Sequence, residues 1–329
     1  MLSRTADHLY WMARYLERAE TIARMLEAEH QLAMLPRPIE VAERSRRATL
    51  VALGAHESFD ARSAYASDDV LEFLAFDREY GGSIVSCISK ARENARAVRG
   101  AVASETWETI NATWLEMRAL ERRKGAERSR LLFDFIRQRA HLIRGVTVVA
   151  MLRDEAFHFM RIGSFLERAD GTARLLDART SSAAGDPHGQ DAHEWTVLLR
   201  TLSAFEAYRR LFRNAVTPQK VAEMFVLRHD VPRSLRRCLI EIQWNLKAVA
   251  NEQSAQTQRL VGSLQAQLEF GLADELAPER LGEYLAGKVK QLTLIGNGIM
   301  SDFLRAEPEP EAVPVPPPVT APAAGPRHQ

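Results

Sequence analysis

The sequence predicts an all-α fold, a tandem duplication of one helical-bundle unit with pseudo-twofold symmetry. Three observations lead there. Apolar residues recur at steps of three and four along most of the chain, helix-stopping residues punctuate those stretches, and the second half repeats the first.

Taken in order, Leu9, Met12, Leu16, Ala19, Ala23 and Leu26 form the stripe of an amphipathic helix. Comparable stripes run through 41–59, 83–102, 126–150, 194–212, 234–250, 256–270 and 279–304. Breakers stand between them: Pro36 and Pro38, Gly81-Gly82, Gly100, Gly125, Gly185-Asp186-Pro187, Pro218, Pro232 and Pro278. Ser83 suits an N-cap, and Pro232 suits the first turn of the helix that follows it. Period-two alternation is scarce, so no strand is expected. From Glu307 the chain becomes proline-rich and has little to bury, holding eight of the fourteen prolines. That composition predicts a disordered tail, partly polyproline II. The expected organisation is one repeat over 1–152, a second over 153–306 and a tail over 307–329.

The bulk composition narrows the function classes. Hydrophobic residues make up 46% and charged residues 26% of the 329, as in a globular protein. Formal net charge is +1, so no global field favours nucleic acid or an anionic membrane. No apolar run approaches the roughly 20 residues of a membrane span. Arg4, Asp7 and His8 interrupt the place where an export signal would be apolar. Two cysteines make no disulfide framework, and a cytoplasmic location with reduced thiols is expected. No phosphate loop, nucleophile elbow, zinc spacing or dinucleotide fingerprint occurs.

The repeat carries the most information. Leu16-Glu17-Arg18-Ala19 aligns with Leu166-Glu167-Arg168-Ala169, Ala23-Arg24 with Ala173-Arg174, and His8 with His158. One residue further out of register, Ser83, Cys87 and Asn94 align with Ser234, Cys238 and Asn245. The cysteines are thus copies of one apolar helical position and read as small buried hydrophobes. The turn "DREYGGS" departs from its counterpart "RHDVPRS", where Arg228 replaces Asp77 and Pro232 replaces Gly81.

On a helical wheel of about 100° per residue, Glu17, Glu20 and Arg24 share one flank of the apolar stripe, and Arg18 points almost opposite. The second copy repeats the set as Glu167, Asp170 and Arg174. The expectation is a carboxylate–carboxylate–guanidinium cluster beside each buried seam, the first helices of the two repeats packing together. Two readings follow: a salt network that fixes register, or a polar pocket for a ligand or metal. Glu20→Leu is expected to be tolerated better than Arg24→Ala, which would leave partly buried carboxylates unpaired.

Glu27–His30 and Glu155–His158 have the Glu-x-x-His spacing of di-iron bundles, but they are not equivalent under the repeat. No metal and no cofactor is expected. Arg92, Arg96, Arg236 and Arg237 are candidates for a partner surface.

The segments "LYWMARYLERAETIARML", "DVLEFLAFDREYGGSIVSCISKARENAR" and "FHFMRIGSFLERADGTARLLD" resemble the bacterial alpha-E family, an all-helical domain of unknown function. It is named for a Glu-Arg motif, which here falls on Glu17-Arg18 and Glu167-Arg168. The resemblance covers residues 1 to about 306. It implies encoding beside a circularly permuted ATP-grasp protein, often with a transglutaminase-like or proteasome-like peptidase. The expected function is therefore a non-catalytic accessory or scaffold of an amide- or peptide-ligase system. The alternative is an enzyme acting on a small substrate through the duplicated Glu/Asp/Arg cluster.

Overall fold

The computed structural model describes residues 1–60, 65–123, 125–183 and 191–304, and those residues are all-helical, with no strand among them. The Pro-rich tail and the Gly185-Asp186-Pro187 breaker lie outside the described residues. Among the described residues seven α-helices precede residue 152: α1 (Ser3–Ala33), α2 (Ile39–Ala52), α3 (His56–Asp60), α4 (Ser67–Phe76), α5 (Ile84–Ala97), α6 (Ser104–Glu121) and α7 (Ala126–Ala150). Seven follow: α8 (Glu155–Ala183), α9 (Asp191–Thr201), α10 (Phe205–Phe212), α11 (Pro218–Val226), α12 (Leu235–Ala248), α13 (Ala255–Glu269) and α14 (Pro278–Ile299), which runs into a π-helical turn at Met300–Leu304.

Local chemistry sets many of the ends. Ser83 and Ser234 are N-caps, accepting from the backbone N–H of Ser86 and Arg237 respectively. Pro218 and Pro278 occupy the first turns of α11 and α14, where a missing N–H is harmless. Pro232 does not do this for α12; it precedes the Ser234 cap and belongs to the turn.

Two stripes that read as single helices are broken. At Gly54 (φ +65°) the chain closes α2, with Ala55 N–H donating to the Leu50 carbonyl at 2.8 Å. At Ser203 (φ 55°) it closes α9 the same way, Ala204 N–H donating to the Leu199 carbonyl at 2.8 Å. α6 escaped the periodicity reading because its buried stripe includes Thr106 and Thr113, which do not count as apolar. The Thr113 hydroxyl is satisfied within the helix by the Thr109 carbonyl at 2.8 Å.

The long helices α1 and α8 pack on one another more extensively than any other pair. α5 and α7 cover further sides of α1, and α12 and α14 cover α8. The second helix of each half crosses over: α2 lies mainly against α8, and α9 mainly against α1. One apolar core accordingly draws on residues from Ala6 to Leu304, while a smaller one lies within 19–136.

α1 and α8 approach closely at Gly163, where an added Cβ would collide with the Tyr10 carbonyl oxygen. Backbone cannot yield as a flexible side chain does, so Gly163→Ala should destabilise by about 1–3 kcal/mol. Gly145→Ala, at an exposed helical site with nothing within 4 Å, should instead stabilise by about 0.5–1 kcal/mol. Urea unfolding of the two variants measures both.

Candidate functional site

Helices covered on several sides withdraw any charge they carry from water. Glu17, Glu20 and Glu167 retain 3%, 0% and 5% exposure. A buried carboxylate stays ionised only with close partners. For Glu17 and Glu167 the partner comes from the other long helix. Arg168 donates Nε–H and Nη2–H to the two oxygens of Glu17 at 2.8 and 2.9 Å. Reciprocally, Arg18 donates Nε–H and Nη2–H to Glu167 at 2.5 and 3.1 Å. Both are bidentate forks. Arg14 adds a third donor to Glu167 at 2.7 Å.

This corrects the single-helix wheel. Arg18 is not on a solvated back but half-buried against Glu167, and Glu17 pairs with Arg168 rather than with Arg24. A wheel locates the apolar stripe but does not say how many neighbours a helix has; α1 has α8, α5, α7 and α9.

Glu20 and Arg24 do meet, Nε to carboxylate oxygen, at 2.9 Å. Arg144 of α7 and Arg233 of the turn before α12 donate to the same carboxylate. Those two also reach Glu17, at 3.2 and 3.4 Å. Glu20 is therefore shared by three guanidinium groups, and replacing it by Leu is not mild. Arg24 donates its Nη1–H to the Thr201 carbonyl at the end of α9. In the other half, Asp170 accepts from Arg174 at 2.7 Å, and Arg174 donates to the Ala52 carbonyl at the end of α2 at 3.3 Å.

The six charged residues do not converge on one centre. Glu167, Asp170 and Arg174 border a cavity of about 350 Å³ together with Arg14 and Arg18. Arg24, Arg144, Arg168, Arg210 and Arg233 border a separate one of about 510 Å³.

The electrostatics of the two flanks differ. Burial alone would raise the Glu17 and Glu20 carboxyls; Arg168 on the first, and Arg233 with Arg144 on the second, reverse this and hold them below the ordinary range. For Glu167, burial is likewise outweighed by Arg14 and Arg18. At Asp170 burial prevails over Arg174, and its carboxyl is raised. Burial and the like charge of Arg233 lower the Arg24 guanidinium, and burial and Arg144 lower His141.

Further buried polar groups were not singled out from sequence. Glu29 accepts from Arg179 at 2.6 Å, from Ser45 at 2.9 Å and from Thr49 at 3.2 Å, and Arg37 pairs with Glu194 at 3.0 Å. This network ties α1 and α2 to α8 and α9. Glu29 and Arg179 are 150 residues apart, the offset at which the Glu-Arg dipeptides align, and carry opposite charge, a signal available in the sequence. The aligned His8/Asn94 and His158/Asn245 also pair, at 2.7 and 2.8 Å.

The remaining candidates have partners within the chain. Arg92 donates to Asn111 at 2.8 Å and lies 4.2 Å from the Trp114 ring centroid. Arg96 pairs with Glu93, Arg236 with Glu269 and Arg237 with Glu241. Glu27 is paired to Arg137 and Glu155 to the N-terminal ammonium. Among the described residues no group of three His, Cys, Asp or Glu assembles as a metal site. Cys87 and Cys238 are fully buried, which pushes both thiols up to about 12.

A family described as "a predicted alpha-helical domain with a conserved ER motif" matches residues 1–304. The chain belongs to the Alpha-E family. Uncharacterized proteins of Mycobacterium bovis and of Mycobacterium tuberculosis CDC 1551 are each 27% identical to it over 316 residues. A further one, from Mycobacterium tuberculosis H37Rv, is 26% identical. Each match takes in 86% of this chain and 35% of the relative, so the Alpha-E chain spans about a third of the length of these relatives. No solved structure matches it. No described helix is long and apolar enough to cross a membrane.

Glu20→Leu should destabilise by about 3–5 kcal/mol, because it strands buried guanidinium groups. Asp170→Asn should change stability by less than about 1 kcal/mol or raise it, since burial already disfavours that charge. The pH signs follow. Carboxyls held low in the fold contribute stability above their unfolded pKa of about 4.3 and lose it as pH falls through the folded value. Asp170, raised in the fold, does the opposite. Denaturant midpoints from pH 7 to pH 3 should fall in the wild type and fall further in Asp170→Asn, which lacks the opposing contribution of that carboxyl.

Proposed function

We propose that this Alpha-E chain is a non-catalytic helical accessory or scaffold protein of an ATP-grasp amide- or peptide-ligase system, working in the cytoplasm. The observation that carries the reading is the reciprocal pairing of Glu17 with Arg168 and Glu167 with Arg18. We take these dipeptides as the family's Glu-Arg motif. Their charges are committed to one another across a helix seam, which is a register device rather than a catalytic constellation. The ATP-grasp partner, and a transglutaminase-like or proteasome-like peptidase beside it, come from the sequence resemblance. The mycobacterial relatives support a module that works alongside other chain, since about two-thirds of each lies outside the match.

In the same reading the chain is a tandem duplication with a pseudo-twofold axis between α1 and α8. Its supports are the two sets of seven helices in matching order and the paired His–Asn contacts. The arginine-capped ends of α2 and α9, closed at Gly54 and Ser203, point the same way.

The enzymatic alternative has one observation in its favour. Asp170, raised by burial, borders the 350 Å³ cavity beside Arg14 and Arg18, an environment suited to proton transfer.

Co-expression with the neighbouring ATP-grasp protein and size-exclusion chromatography test the scaffold reading. Co-elution at micromolar concentration is expected, with an interface of at least about 1,000 Å². Separate elution, with ligation unaffected by this chain, contradicts it. A turnover by the chain alone that Asp170→Asn abolishes would favour the enzyme.

A further inference from the structure

We propose that the 510 Å³ cavity bordered by the arginines that hold Glu20 is a binding site for a small oxyanion, a carboxylate or phosphate, that carries an apolar substituent. The inference stands apart from the ligase reading and holds whether or not that partner exists.

The first argument is charge. Arg24, Arg144, Arg210 and Arg233 border the cavity. Three of them converge on the single carboxylate of Glu20. Glu17, which Arg144 and Arg233 also reach at 3.2 and 3.4 Å, is held bidentately by Arg168, a further cation bordering the cavity. Asp230, the acid on the rim, is taken by Arg228 through two hydrogen bonds at 2.8 and 2.6 Å. Arg210 is exposed and makes no ion pair among the described residues. Cations thus outnumber the acids able to neutralise them, in a place where Arg24 is only 3% exposed. Like charges held together in a partly desolvated cleft make a field for an anion, and guanidinium forks match carboxylate and phosphate oxygens.

The second argument is that Arg233 is not required by its turn. It stands immediately before the Ser234 N-cap of α12. Gly82 stands immediately before the Ser83 N-cap of α5 and borders the cavity beside Asp170. The two turns build the same cap, and only one delivers a guanidinium to the carboxylate next to it. In the α5 turn Lys90 donates to the Gly81 carbonyl instead.

The third argument is the wall. Leu202, Leu211, Met224, Phe225 and Val231 line the same cavity, so an apolar group has somewhere to go once the head is bound. The volume falls within the range of small-molecule sites. A cleft of that size takes a compact ligand, not a nucleic-acid duplex.

Isothermal titration calorimetry on the full chain tests the proposal with phenyl phosphate and N-acetylphenylalanine. The neutral control is N-acetylphenylalanine amide. One or both oxyanions should bind at 1:1, at least about tenfold tighter than the amide, and weaken as sodium chloride rises. Whichever binds more tightly identifies the head group. Arg210→Ala, at an exposed position, should keep the wild-type melting curve and weaken binding about fivefold or more. Arg233→Gly should abolish binding, and Asp170→Asn, in the other cavity, should leave it unchanged. Arg233 touches buried Glu20, so the Arg210 variant carries the test if Arg233→Gly fails to fold. Equal affinity for the amide, no binding of either oxyanion, or full binding by Arg210→Ala would each overturn the site.

Discussion

Two carboxylates buried between two long helices, each ionised because an arginine of the opposite helix reaches it, set the terms for the rest of this Alpha-E structure. Consecutive residues on a helix point about 100° apart. A Glu-Arg dipeptide on each of two facing helices can therefore offer acid to base in both directions at once, as Glu17 does to Arg168 and Glu167 to Arg18. Sliding one helix by a residue would turn both dipeptides away and leave charges in the core. An apolar seam of the same size could be more stable, because desolvating ions costs several kcal/mol each. What the ionic version supplies is a single register.

That register positions everything attached to the seam. α2 crosses to α8 and α9 to α1, and each ends where an arginine of the helix near it captures its last carbonyl, Arg174 at Ala52 and Arg24 at Thr201. On the flank bearing Glu20 the surrounding elements contribute Arg144 and Arg233; on the flank bearing Asp170 the corresponding turn contributes Gly82. The carboxyls respond with opposite displacements, Glu20 downward and Asp170 upward. The two cavities are thus built on similar helices yet differ in charge, so a functional distinction between them needs only a few substitutions at the ends of elements.

The all-helical class, the α1 stripe and the Ser83 and Ser234 caps were legible because they depend on residues close in sequence. The cluster residues Glu20 and Arg24 were legible for the same reason, being one helical turn apart. Arg18 was misplaced because its burial depends on how many helices surround α1. Arg144 and Arg233 could not be assigned, since nothing local says that the middle of α7 and the turn before α12 meet at Glu20. The break at Gly54 had a glycine to announce it; the one at Ser203 had a serine, whose left-handed backbone comes from helix closure rather than residue preference. Glu29 and Arg179 were readable in principle, since they stand 150 residues apart, the offset at which the two Glu-Arg dipeptides align, and carry opposite charges.

The most direct test of the seam is a double-mutant cycle between Glu17 and Arg168, using Glu17→Gln, Arg168→Met and the double variant, with unfolding free energies from urea titration at pH 7. The account predicts a coupling of at least about 2 kcal/mol, the double variant being more stable than the sum of the single losses implies, because removing both ions leaves none stranded. Additive losses within about 0.5 kcal/mol would contradict it, and would mean that the Glu-Arg pairs do not hold the two helices in register.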